Sequence, residues 1–71
     1  MSNEMKDWLY DVIAEQVLES GMADKIDKIE TASYFMPNRV NGYKRGEKVY
    51  LCAWFDNNTE MWKIEHRERM I

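Results

Sequence analysis

From Val49 onward the chain alternates in steps of two, with Val49, Leu51, Ala53 and Phe55 on one parity and Tyr50, Cys52 and Trp54 on the other. Asp56-Asn57-Asn58-Thr59 then supplies turn chemistry, and Trp62, Ile64 and His66 resume the alternation. Period two over runs of this length predicts strands, so residues 47–67 form a β-hairpin. With Asn57 and Asn58 as a two-residue turn, Ala53 lies opposite Trp62, Leu51 opposite Ile64, Val49 opposite His66 and Phe55 opposite Glu60. One face of the hairpin is then mostly apolar. A slip of one residue would turn Trp62 and Ile64 away from it, so burial selects the register.

The N-terminal third has a different period. Met5, Trp8, Leu9, Val12, Ile13 and Val17 recur at intervals of three and four, giving one broad apolar arc on a helix. Asn3 suits its N-cap, and Glu4 and Asp7 suit the positive end of its dipole. Ser20-Gly21 predicts the stop, with Met22 folding back on Val17 in a Schellman-type cap.

The middle is ambiguous in period. Met22, Ile26 and Ile29 fit a helix, whereas Ile29, Thr31, Ser33 and Phe35 fit a strand. The expectation is a turn or short helical piece over 24–28 and a strand over 29–36, ended by Pro37. Residues 38–46 hold Asn41-Gly42 and Gly46 with few apolar positions, which predicts a long loop or a loose hairpin tip. The whole chain, 1–71, is thus expected to be a single small α+β domain, an N-terminal helix packed on a three-stranded antiparallel sheet (αβββ). The tail over 68–71 is expected either to fray or to tuck Met70 and Ile71 against the helix.

Seventy-one residues leave little core, so a partner or a homodimer would add needed burial. Cys52 is the single cysteine, and no apolar run is long enough for a signal peptide or a membrane span. A complete cytoplasmic chain that makes no membrane contact is expected. The net charge of −3 conceals a split. Residues 1–30 carry eight acidic against three basic side chains, while residues 31–71 carry seven basic against five acidic. Such a split predicts one acidic and one mildly basic face, and argues against a simple nucleic-acid binder, which is usually basic throughout.

Catalytic chemistry has little to work with. Cys52 and His66 are the residues for a thiol–imidazole pair, but the hairpin parity sends them to opposite faces. One Cys and one His do not make a zinc set, and no glycine-rich phosphate loop is present, so no catalytic residue, cofactor or metal site is expected.

Three surface features remain. Glu4, Asp7, Asp11, Glu15 and Glu19 follow one another at intervals of three or four along the helix, with Lys6 on another side. Carboxylates so spaced repel, and such a row suits a cationic surface or imitates a phosphate backbone, as a nucleic-acid mimic does. Tyr50, Trp54 and Met61 make the second hairpin face unusually apolar. Either the 37–46 loop, the tail or a second copy covers that face, or it docks a partner. Arg39, Lys44, Arg45 and Lys48 surround Tyr43 and Tyr50, the mixture that single-stranded nucleic acid uses.

The first expectation is a small acidic non-enzymatic regulator or inhibitor of a larger protein with a basic surface, such as a nucleic-acid-handling, defence-type protein. Bacteriophages and mobile elements encode short acidic proteins of this general kind. The alternatives are a single-stranded nucleic-acid-binding module using the basic loop and the sheet aromatics, and a structural subunit of a larger assembly.

Overall fold

The computed structural model describes residues 2–68, with side chains from residue 8 onward. Helix α1 (Ser2–Ser20) is followed by strands β1 (Lys25–Glu30), β2 (Asn38–Lys44), β3 (Glu47–Asp56) and β4 (Met61–His66). The strands form one antiparallel sheet in the order β1-β2-β3-β4, each paired with its neighbour in sequence. The α+β class with an N-terminal helix is as the patterning predicts, but the sheet has four strands instead of three. The expected placement of Met70 and Ile71 lies outside the described residues.

Leu9, Ile13 and Val17, one turn apart, bury the inner stripe of α1 against the sheet. The stripe is narrower than the sequence arc, since Trp8 is 55% exposed. Asn3 falls within the helix instead of ahead of it. At the other end Gly21 takes a φ of 79°, and its N–H donates to the Leu18 carbonyl at 3.2 Å, the inner bond of a Schellman cap. Ser20 Oγ joins the groups of the outer bond, donating to the Val17 carbonyl at 2.6 Å and accepting from Met22 N–H at 3.1 Å.

The ambiguous middle resolves through a β-bulge. Ile26 pairs with Gly42 and Ile29 with Val40, and the register shifts between Ile26 and Lys28, so Asp27 is the extra residue. A bulge lets two isoleucines three apart share the core face of a strand, which is why their spacing imitates a helix. The first strand is therefore β1 at Lys25–Glu30, not 29–36.

Residues 38–44, expected as a long loop or a loose hairpin tip, form the inner strand β2. Val40 is fully buried, and Arg45-Gly46, with φ of 54° and 83°, makes the two-residue turn into β3. Gly42 is not a turn residue. A Cβ there would lie 2.5 Å from the Lys25 carbonyl oxygen, so the absence of a side chain lets β1 approach.

Asn38 holds the 31–37 segment to the sheet. It is fully buried, accepts from Ala32 N–H at 2.6 Å, and donates to the carbonyls of Ser33, Met36 and Ala53 at 2.9, 3.1 and 2.9 Å. A buried amide with all these partners compensates its own desolvation and closes a segment that has no ladder of its own.

The β3–β4 turn spans four residues, 57–60, not two. Glu60 adopts a φ of 57° and donates its N–H to the Asp56 carbonyl at 2.7 Å, while Asp56 Oδ1 accepts from Asn58 N–H at 2.8 Å. The register consequently moves by two: Ala53 lies opposite Ile64, Phe55 opposite Trp62 and Leu51 opposite His66. A shift by an even number keeps the side chains that remain in the strands on their expected faces, while Glu60 passes into the turn. Trp62 is half-buried, edge-on to Tyr34 at 5.3 Å between ring centroids and to Phe55 at 5.9 Å. The innermost side chains are Ile13, Val17, Val40 and Leu51, each contributing roughly 1.5–3 kcal/mol by leaving water.

Candidate binding face of the sheet

Helix α1 covers one face of the sheet and leaves the other open. Register decides what stands there. Lys28, Asn41 and Tyr50 lie side by side across β1, β2 and β3, and Arg67 joins this row, since its N–H donates to the Tyr50 carbonyl at 2.9 Å. The next row is Glu30, Arg39, Cys52 and Glu65, and on the other side stand Lys25, Tyr43 and Lys48.

These rows enclose a shallow hollow of about 320 Å³. Four cations line it, Lys28, Arg39, Lys48 and Arg67, against one carboxylate, Glu30. Glu30 stands 3.6 Å from Lys28 Nζ, but both side chains are more than half exposed, so the pair is weak. Arg67 is the built element. It turns back over β3, donating from Nε to the Leu51 carbonyl at 3.0 Å and from Nη2 to Asn41 Oδ1 at 2.7 Å, and lies 5.7 Å from the Tyr50 ring centroid. These contacts fix the guanidinium plane before any ligand arrives. Further along β3 on the same face, Trp54 is half-buried and stands opposite Lys63.

The sequence-predicted basic group divides. Arg39 and Lys48 line the hollow, whereas Lys44 belongs to the other parity at the end of β2, and Arg45 sits in the turn with its N–H on Asp24 Oδ2 at 3.0 Å. Lys28, Asn41 and Arg67 were missed. The signal for Asn41 was a strand reading of 38–44, which sets Arg39, Asn41 and Tyr43 on one side of β2, whereas Lys28 and Arg67 join only through the lateral order of the strands. The segment expected to fold over this face is β2 itself, lying in the plane of the sheet beside β3.

Of the other expected partner-binding residues, Asp11, Glu15 and Glu19 are exposed on α1 and form no ion pair among the described residues. The side chains of Glu4 and Asp7 lie outside the described ones. Tyr50 and Trp54 share the open face, and Met61 is 62% exposed at its edge. Cys52 pairs with Glu65 on the open face, and His66 with Leu51 on the helix side, so thiol and imidazole point apart. Burial, and after it the Glu65 carboxylate, raise the Cys52 pKa above the ordinary thiol value, which keeps the sulfur protonated and unreactive at neutral pH.

No group of His, Cys, Asp and Glu among the described residues is arranged to hold a metal ion, and no described helix is long and apolar enough to cross a membrane. No protein-family model, curated protein or solved structure matches the chain.

Proposed function

We propose that this protein is a non-enzymatic binding domain that takes up single-stranded nucleic acid along its open sheet face. The observation that carries this reading is the cationic hollow, in which Lys28, Arg39, Lys48 and a pre-oriented Arg67 converge beside Tyr50. Phosphates fill such a hollow, while flat groups accept bases: the Arg67 guanidinium and, about 13 Å along β3, the Trp54 indole. The overall negative charge does not oppose this. The described carboxylates of α1, Asp11, Glu15 and Glu19, stand exposed on the helix side of the sheet, and salt screens their field over a Debye length of roughly 10 Å.

Fluorescence anisotropy with a labelled oligothymidylate tests the reading. Binding is expected at low salt, with a log–log salt slope near −2 to −3, about 0.7 for each of three or four phosphates neutralised. Arg39→Ala with Lys48→Ala is expected to weaken it about tenfold or more. Absence of binding at low salt, or indifference to both substitutions, would overturn it.

The opposite side of the molecule supports a second reading. Asp11, Glu15 and Glu19 stand exposed at successive helical turns without cationic partners among the described residues, a surface suited to a basic patch on a larger nucleic-acid-handling protein that this chain would regulate. Under that reading, neutralising the three carboxylates abolishes capture of such a protein from the native host, and the Arg39 and Lys48 changes leave capture intact.

A further inference from the structure

The two edges of the sheet are unlike. β1 carries a bulge at Asp27 and the charged side chains of Lys25, Asp27, Lys28 and Glu30, devices that discourage another strand from pairing. β4 has neither bulge nor proline, and its register with β3 is regular from Met61 to His66. Nothing among the described residues pairs with its outer side. The direction of its backbone groups follows from one bond: Arg67 N–H points inward to the Tyr50 carbonyl. Backbone groups alternate along an antiparallel strand, so Met61, Lys63 and Glu65 also point into β3, and Trp62, Ile64 and His66 present theirs to the outside.

We infer that β4 pairs with β4 of a second copy of this chain, antiparallel about a two-fold axis through Ile64. The outward groups of Trp62, Ile64 and His66 must meet outward groups, and side chains of the helix side must meet their like. Two long registers satisfy both conditions. One sets Lys63 opposite Lys63 of the second copy, a like-charge pair. The other sets Ile64 opposite Ile64, Trp62 opposite His66, and Lys63 opposite Glu65 twice over. Opposite charges directly across strands attract and like charges repel, so charge selects the second register. Lys63 and Glu65 fall at its non-hydrogen-bonded positions, where facing side chains come closest.

The product is a continuous eight-stranded sheet with both helices on one side and both cationic hollows on the other. Its interface is a single strand pair, smaller than that of a permanent dimer, so the association is weak and concentration-dependent. It stands independently of the nucleic-acid reading, because it is measured on the protein alone.

Sedimentation equilibrium and amide hydrogen exchange test it. The wild-type chain is expected to dimerise at high concentration, with exchange at Trp62, Ile64 and His66 slowing as concentration rises and exchange at Lys63 and Glu65 unchanged. Lys63→Glu or Glu65→Lys alone is expected to raise the dimer dissociation constant about tenfold or more, since each change converts two attractive pairs into repulsive ones. The two changes together restore dimerisation, an outcome that damage to the fold would not produce. A monomer at millimolar concentration, a dimer whose Trp62, Ile64 and His66 amides exchange freely, or one indifferent to both single changes would overturn the inference.

Discussion

Arg67 Nη2 donates to Asn41 Oδ1 at 2.7 Å, tying the chain beyond β4 to β2 across the whole width of β3. The bond orients a cation, and it crosses an open face where it adds little to the core. Asn41→Leu is therefore expected to lower nucleic-acid affinity about three- to tenfold while the melting temperature stays nearly level. Arg67→Lys is expected to lose as much, because an ammonium cannot hold Asn41 and the Leu51 carbonyl in one plane. Anisotropy titrations beside thermal melts check both.

Asn38 is where stability is most exposed to a polar substitution. Asn38→Ala strands the Ala32 N–H and the carbonyls of Ser33 and Met36, and is expected to cost about 2–4 kcal/mol in urea unfolding. Asn38→Asp is expected to cost at least as much, since it sets a buried carboxylate against three carbonyl oxygens. An aspartate tolerated without loss would mean that the 31–37 segment is held by other contacts.

Gly42 and Gly46 separate two reasons for glycine. At Gly42 an added Cβ collides with the Lys25 backbone, so Gly42→Ala is expected to destabilise by about 2 kcal/mol or more as β1 is pushed away. At Gly46 the space is open but φ is 83°, so alanine costs conformational strain alone, roughly 1 kcal/mol. Urea midpoints of the two variants order them.

Cys52 ties stability to alkaline pH. Its pKa is raised in the folded chain, first by burial and then by Glu65, so the unfolded thiol loses its proton first as pH rises. The stabilisation is complete below the ordinary thiol range and is lost as pH climbs through it toward the folded value. Cys52→Ser is expected to flatten this alkaline fall in melting temperature, and native Cys52 to alkylate more slowly than the urea-unfolded chain.

Along α1, the Asp11–Glu15 and Glu15–Glu19 pairs repel at about 0.2–0.5 kcal/mol each. Replacing them by Asn, Gln and Gln is expected to raise the melting temperature slightly and to leave oligothymidylate binding within a factor of two, since they lie on the far side of the sheet. A large loss of nucleic-acid binding in a folded variant would place the ligand on the helix side instead.

Local chemistry determined the helix, its stop at Ser20-Gly21 and the two faces of β3 and β4, because each depends on residues a few positions apart. The faces of the residues paired in β3 and β4 survived even though the register moved by two, since parity resists any even slip. β1 and β2 were not legible in this way. The bulge at Asp27 gives two strand isoleucines a helical spacing, and Gly42 imitates a turn while answering a contact with Lys25, seventeen positions away in sequence. Of the open face, Arg39, Lys48, Tyr50 and Trp54 could be named from the sequence as candidates, but not their company. Lys28, Asn41 and Arg67 come from three distant segments, and only the lateral order of the strands brings them into one row. Sequence determined which side chains share a face of a strand, and tertiary structure decided which strands stand beside one another, because pairing is set by burial and backbone hydrogen bonding between segments that carry no mutual signal along the chain.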